Sequence, residues 1–243
     1  MPVNKIPLLE SCNASLPTEL TETLALLNLP LCSSSPAEDF YLSCENGSLV
    51  LISGDGEKVR PTLTRPARFI GNQPFLRALA PARGGTVIDA TAGLGGDSLR
   101  LAMIADRVIA IERHPVVFAL LASALLSARN SSLSMVDKIE AHFGDAIEVI
   151  RQLPAIDVIF MDPMFPAKRK RSALPPKSVR ILRDIVGDDT DDEKLLRIAR
   201  QHAARRVVVK RPLHAPPLAD DHVALHAGKV VRYEVYLPTR KQS

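Results

Sequence analysis

The chain has 243 residues, 46% apolar and 24% charged, with a net charge of +4. That is an ordinary globular composition and excludes a disordered chain; no apolar run approaches the roughly 18–20 residues of a membrane helix, and MPVNKIPLLESCNAS lacks the basic-then-apolar start of a secretion signal. Cys12, Cys32 and Cys44 are odd in number and show no CxxC spacing, which points away from a disulfide framework or a zinc site and toward a reducing cytoplasm.

Residues 1–64 form a first region. DFYLSCENGSLVLIS predicts two short strands joined through Asn46-Gly47, a favoured hairpin turn because both residues tolerate positive φ. GDGEKVRPTL adds a further strand. The expectation is a small β-containing N-terminal domain over 1–64, followed by a second domain over 65–243.

In the second region strands and helices alternate. TVIDA (86–90), RVIAIE (107–112), KIEAHFGD (138–145), IDVIFMD (156–162) and RRVVVK (205–210) are Val- and Ile-rich runs suited to strands covered on both faces. DSLRLAMIA, PVVFALLASALLSAR and DAIEVIRQL follow the first three strands as helices, the second with Pro115 at its first position. DDEKLLRIARQHA is a further helix, acidic at its start and basic later, with Leu195, Leu196, Ala199 and His202 at core-facing spacing. HVALHAGKVVRYEVYL closes the chain as a hairpin through Ala227-Gly228. The predicted fold class is α/β: a Rossmann-like, doubly wound sheet with an antiparallel edge hairpin, plus the small N-terminal domain.

VIDATAGLGGDS places Asp89 at a strand end, then Gly93, Gly95 and Gly96, then a helix. Glycine there lets a ligand approach the backbone at the strand tips. Glu112 ends the next strand about 20 residues on, where a carboxylate takes ribose hydroxyls. A dinucleotide cofactor would put its pyrophosphate on the helix N-terminus, but Asp97 follows the glycines at once and would repel it. Asp89 and Asp97 instead suit a cofactor with an amino group and a sulfonium, S-adenosylmethionine (SAM), and favour a methyltransferase over a dehydrogenase. The bland alternative is a tight strand-to-helix turn with no ligand. Gly144-Asp145 falls at the next strand end, where a carboxylate can accept from the adenine amino group; taken alone, such a pair is more often a helix cap.

DPMF (162–165) ends the fourth strand and resembles the [Asn/Asp/Ser]-Pro-Pro-aromatic motif of methyltransferases that act on amines attached to planar rings. Such an amine is a poor nucleophile, because its lone pair is drawn into the ring. Asp162 and the carbonyl of Pro163 can accept its two N–H groups, and Phe165 can stack on the base, so that rate comes from orientation. A base held in this way must be unpaired or flipped out. Standing alone, Phe165 would read as a core aromatic and Asp162 as a loop cap.

Positive charge follows directly. Residues 168–183 hold seven basic side chains and no acidic one. Lys168, Arg169, Lys170 and Arg171 are candidates to hold phosphates beside the extruded nucleotide, and Lys210 and Arg211 extend that surface; a solvated basic loop is the alternative. His214, one of six scattered histidines, reads as an exposed loop residue rather than a metal ligand.

Taken together, DATAGLGGDS, IERHPVV, DPMFPAKRKRSAL and RRVVVKRPLHAPPLA resemble the ribosomal RNA small subunit methyltransferase J family from about residue 65 to the end. The resemblance implies SAM-dependent methylation of the N2 amine of a guanine, number 1516 of bacterial 16S rRNA, with rRNA or the small subunit as partner. It also implies SAM contacts at Gly96-Asp97, Glu112-Arg113, Gly144-Asp145 and Asp162. The chain departs from the family pattern at Gly96, at Ala167 and through RPARFIGNQPF, where Arg65, Arg68 and Asn72 are candidates for RNA contact. The alternatives are an amino-methyltransferase of another RNA or of DNA, and a non-catalytic RNA-binding module on the same fold.

Overall fold

The computed structural model describes residues 6–12, 14–36, 39–65, 73–163, 177–186 and 191–239. Along the chain these form β1 (Leu8–Leu9), α1 (Thr18–Leu26), β2 (Leu31–Cys32), β3 (Tyr41–Glu45), β4 (Ser48–Ile52) and β5 (Lys58–Val59). Then come α2 (Pro74–Ala78), β6 (Thr86–Asp89), α3 (Gly96–Ala102), β7 (Arg107–Glu112), α4 (Pro115–Asn130), β8 (Ile139–Phe143) and α5 (Ala146–Gln152). The last are β9 (Ile156–Met161), α6 (Lys177–Val186), α7 (Asp192–His202), β10 (Ala203–Pro212), β11 (Ala224–Ala227) and β12 (Val231–Tyr236). Two compact units divide them. One draws on 1–64, 113–133 and 164–188, the other on 65–112, 134–163 and 189–243.

In the first unit the strand order is β2-β1-β3-β4-β5 among the described residues. Asn46 (φ 52°) and Gly47 (φ 72°) both take the left-handed conformation, whose twist matches the strands they join, so β3 and β4 pair from Glu45↔Ser48 upward. Leu42, Leu49, Val50 and Leu51 are fully buried and form the heart of this unit. Helix α4 belongs here as well. Ser123 Oγ accepts the Leu49 N–H at 2.8 Å, and the Ser127 and Ser48 hydroxyls share a hydrogen bond of 2.8 Å. The sequence pattern predicted the β3–β4 hairpin and β5 but not α1, β1 or β2; the two extra strands are two residues each, too short for periodicity to register.

The second unit carries a sheet of order β11-β12-β10-β9-β6-β7-β8 among the described residues. Strands β10, β9, β6, β7 and β8 run parallel, while β12 is antiparallel to β10 and the edge strand β11 is antiparallel to β12. From β6 the chain winds outward through β7 and β8, then returns to add β9 and β10 on the other side. The order therefore reverses between β6 and β9, and in such sheets the ligand crevice opens there, beyond the strand ends. Central strands are buried on both faces: Val87, Ile88, Val158, Ile159 and Phe160 are all at 0% exposure. Helices α5 and α7 pack together against β9 and β10 through Ile147, Ile150, Leu195, Leu196 and Ala199.

Two expectations shift in detail. On α7 it is Ile198 that is buried with the leucines, while His202 is half-buried and its ring Nδ1 lies 3.0 Å from the Ile198 carbonyl oxygen. Strand β10 starts at Ala203, directly after α7, with a register irregularity before Arg206. The edge hairpin is held by a buried polar network. Glu234, wholly buried, accepts from Arg232 (2.6 and 3.1 Å), from the Tyr236 hydroxyl (2.7 Å) and from the Leu218 N–H (3.0 Å). Satisfied on every side, this carboxylate locks the 212–222 loop onto β12.

Candidate active site

The glycine turn after β6 is fixed by both neighbouring strands. The Ala90 N–H donates to the Phe160 carbonyl on β9, and the Ala92 N–H to the Ile111 carbonyl on β7, each at 2.9 Å. Gly93 (φ 53°) and Gly95 (φ 84°) take the left-handed conformation that glycine adopts without strain. Gly95 caps α3, and Gly96 opens it. A Cβ built at Gly93 or Gly96 would meet no atom within 4 Å, so both glycines border open space at the strand tips.

Asp89 does not face that space. It is fully buried; its Oδ2 accepts from the Ser98 hydroxyl (2.6 Å) and its Oδ1 from the Thr91 N–H (3.3 Å). Burial pushes its carboxyl up to about 7 against the pull of Ser98, with the Asp97 charge adding to the rise. The expected ligand-facing acid is instead the internal brace of the turn, because both its oxygens are spent on residues of the turn itself.

Glu112, at the end of β7, is 9% exposed, and its Oε2 accepts the Gly93 N–H at 3.0 Å. Its carbonyl receives the Gly144 N–H at 3.0 Å. Gly144 has φ 151°, and a Cβ there would press on Val149 Cγ2 at 3.2 Å. Asp145 caps α5, its Oδ1 accepting the Ile147 N–H at 2.7 Å. Arg113, next after Glu112, is exposed.

Asp162 follows β9, with its N–H donating to Thr91 Oγ1 at 2.6 Å and its Oδ2 receiving Lys210 Nζ at 2.6 Å. The same ammonium reaches Asp97 Oδ2 at 2.5 Å, and Asp97 Oδ1 receives Arg100 at 3.1 Å. Burial raises the Asp162 carboxyl, Lys210 draws it down and Asp97 raises it again, for a net rise. For Lys210 burial acts downward, but Asp162 and Asp97 outweigh it and hold the ammonium firmly protonated. Arg100 in turn lies over the Phe75 ring, 4.1 Å from its centre, and Tyr233 stands across from Lys210 in the β10–β12 register. Pro163 is buried.

Lys210 and Arg211 are therefore not placed as the sequence suggested. The Lys210 ammonium is engaged inward by two carboxylates, and Arg211 is 5% exposed with its guanidinium donating to the Pro216 carbonyl at 2.5 Å. Neither offers its charge to a phosphate on the surface. At the end of β10 Lys210 meets Asp97 of α3 and Asp162, and Arg211 meets the 212–222 loop, partners that no local pattern reveals. His214 is exposed in its loop. Phe165, Lys168, Arg169, Lys170, Arg171, Arg68 and Asn72 lie outside the described residues. The sequence reading missed Thr91 and Ser98, whose hydroxyls tie the turn to Asp162 and Asp89; their place within DATAGLGGDS was the only signal.

The strand order sets Asp162, the glycine turn, Glu112 and Asp145 side by side across β9, β6, β7 and β8. This array fits SAM. Asp97 suits its ammonium, the open face of Gly93 and Gly96 leaves room for its chain, Glu112 suits the ribose hydroxyls and Asp145 the adenine amine. Among the described residues no group of His, Cys, Asp or Glu is assembled to hold a metal ion, and no helix is long and apolar enough to cross a membrane.

Comparison with known proteins agrees with this array. A family model described as "Putative SAM-dependent methyltransferase" matches residues 61–238. The ribosomal RNA small subunit methyltransferase J of Alteromonas mediterranea is 36% identical over 220 residues, 84% of this chain and 85% of that protein. The protein of the same name from Thioalkalivibrio sulfidiphilus is 35% identical over 238 residues, 90% and 93% of the two chains. That from Bdellovibrio bacteriovorus is 38% identical over 170 residues, covering 68% of this chain and 66% of its own. The crystal structure of a SAM-dependent methyltransferase from Neisseria gonorrhoeae superposes with a TM-score of 0.75 at 27% identity, covering 96% of both chains. An S-adenosylmethionine site on a doubly wound sheet, with these relatives along most of its length, makes the chain a SAM-dependent methyltransferase of the ribosomal RNA small subunit methyltransferase J family.

Proposed function

We propose that the enzyme methylates the exocyclic N2 amine of a guanine in 16S rRNA, the one numbered 1516 in the bacterial molecule, and that Asp162 and Pro163 hold that amine. The observation that carries this reading is the placement of Asp162: a half-buried carboxylate at the sheet's switch point, pinned through its backbone to Thr91 and through its side chain to Lys210. The names of the relatives support the choice of small-subunit rRNA. A ribosomal substrate supports a cytoplasmic location for the enzyme.

When bound, the cofactor supplies an electrophilic methyl on a sulfonium sulfur. The chain's own residues supply position. Asp162 and the Pro163 carbonyl accept the two N–H groups of the target amine, which turns its lone pair out of conjugation with the ring, and Phe165 stacks on the flipped guanine. Asp97 takes the cofactor's ammonium, Glu112 its ribose and Asp145 its adenine. After transfer, Asp162 is the acceptor within reach of the proton the amine must lose. Lys168, Arg169, Lys170 and Arg171 hold the flanking phosphates.

Transfer of labelled methyl from SAM to undermethylated small-subunit RNA, to DNA and to tRNA tests the substrate. Label confined to the ribosomal RNA, at a guanine N2, is expected. Equal labelling of DNA or tRNA would give the enzyme to another amine substrate, and no transfer with intact RNA binding would make it a binding module. Asp162→Ala is expected to abolish transfer while RNA remains bound; retained activity removes the amine-holding role.

A further inference from the structure

Lys210 is the cation at the reacting edge, and it points into the protein. Its Nζ lies 2.6 Å from Asp162 Oδ2 and 2.5 Å from Asp97 Oδ2, with 20% of its side chain exposed. One ammonium thus links the residue that follows β9 to the first turn of α3, from a strand that is itself paired on both sides: β10 runs against β9 and against β12. The backbone that carries Lys210 is therefore fixed, and so is the reach of its side chain. Asp162 is fixed from the other end by Thr91.

An acceptor for an amine has to be anionic and aimed. Asp162 and Asp97 share one nitrogen, and without it two like charges would face each other in a partly desolvated crevice, where each disfavours the other's ionisation. A hydrogen bond from Lys210 to Oδ2 also turns the carboxylate plane and leaves Oδ1 for the substrate. We propose that Lys210 is the positioning residue of the transfer reaction, orienting Asp162 and supplying the counter-charge that keeps it an acceptor. This inference rests on the amine-holding role of Asp162 proposed above.

The groups around Asp162 fix the direction of the effect. From β10 comes Lys210, and from α3 come Asp97 and its partner Arg100. Tyr233 on β12 feels both Arg100 and Asp97, and buried Asp89 adds a further acid from the end of β6. Lys210 is the cation among these that bonds directly to Asp162. Losing it leaves burial and Asp97 to act alone, and both push the carboxyl up. The active, deprotonated form is then lost at a higher pH as the solution is acidified.

Single-turnover methyl transfer to undermethylated small-subunit RNA, measured against pH, provides the test. For Lys210→Met the expected result is a rate about 10–100-fold lower, an acid limb displaced to higher pH and an RNA KM within about 3-fold of wild type. Lys210→Arg keeps the charge and is expected to return the limb toward its original position. Asp97→Asn removes the opposing acid and is expected to move the limb the other way, to lower pH. This third variant decides the matter if Lys210→Met does not fold, since a limb that stays in place overturns the proposal. A raised RNA KM with a shallower salt dependence and an unchanged limb in Lys210→Met would make Lys210 a phosphate contact and also overturn it. An active Asp162→Ala enzyme would sink the amine-holding reading itself; an inactive one beside an unshifted Lys210→Met profile would sink only the role of Lys210.

Discussion

The Asp162 N–H donates to Thr91 Oγ1 across 2.6 Å, so the residue that follows β9 is held by the residue that opens the glycine turn. Two segments 71 residues apart in sequence are thereby joined at the sheet's switch point, where the proposed amine contact and the glycine turn meet.

Replacing Thr91 with Val keeps the shape and removes the acceptor. The part-buried Asp162 N–H is then left without its partner, at a cost of about 1 kcal/mol in urea-unfolding measurements. Single-turnover methyl transfer falls by more than stability alone explains, because Asp162 loses its fixed position. Thr91→Ser, which retains the hydroxyl, is expected to stay near wild type in both measurements.

Glu112 stands between the turn and the proposed ribose contact. Glu112→Gln still offers an oxygen to the Gly93 N–H, so the fold is expected to survive with SAM affinity reduced about 10-fold in calorimetric titration, the loss of one charged acceptor. Glu112→Ala also frees the Gly93 N–H and is expected to lower both affinity and melting temperature. Equal SAM affinity in wild type and Glu112→Gln would remove the ribose contact from this residue.

Asp89 makes stability depend on pH in an unusual direction. Burial raises its carboxyl to about 7 in the folded chain, against about 3.9 when unfolded. Between those values the folded state holds a proton that the unfolded state has released. This group's contribution therefore declines as pH rises through that window and levels off above about 7. Asp89→Asn cannot ionise and is expected to lack the decline, so the difference in unfolding free energy between wild type and variant should move in favour of the variant from pH 4 to pH 7. A constant difference across that range would show that Asp89 is ionised in the fold.

Replacing Lys168, Arg169, Lys170 and Arg171 together with Ser removes four charges from the segment after the motif. Filter-binding against salt is expected to show weaker RNA binding and a shallower slope, with SAM affinity within error of wild type. A matching loss of SAM affinity would mean that the segment serves the cofactor side instead.

Much of the doubly wound region was legible in the sequence. The runs TVIDA, RVIAIE and IDVIFMD become β6, β7 and β9 within a residue or so, because strands buried on both faces must be continuous and apolar. Asn46-Gly47 announced its hairpin because few other residue pairs accept two left-handed conformations in succession. The acids, the glycines and DPMF mark the strand tips as a candidate site, because each carries a requirement that ordinary packing does not impose.

The sequence by itself determined which residue types arrive at the reacting edge, since strand length and hydrophobic pattern are local properties. Only the tertiary structure decided where their side chains point. Asp89 reads as a ligand-facing acid yet braces Ser98 and Thr91, and Lys210 reads as surface charge yet sits between Asp162 and Asp97. The physical reason is that the direction of a charged side chain depends on which opposite charges or hydroxyls lie within about 3 Å, and those partners come from strands and helices as much as 113 residues away.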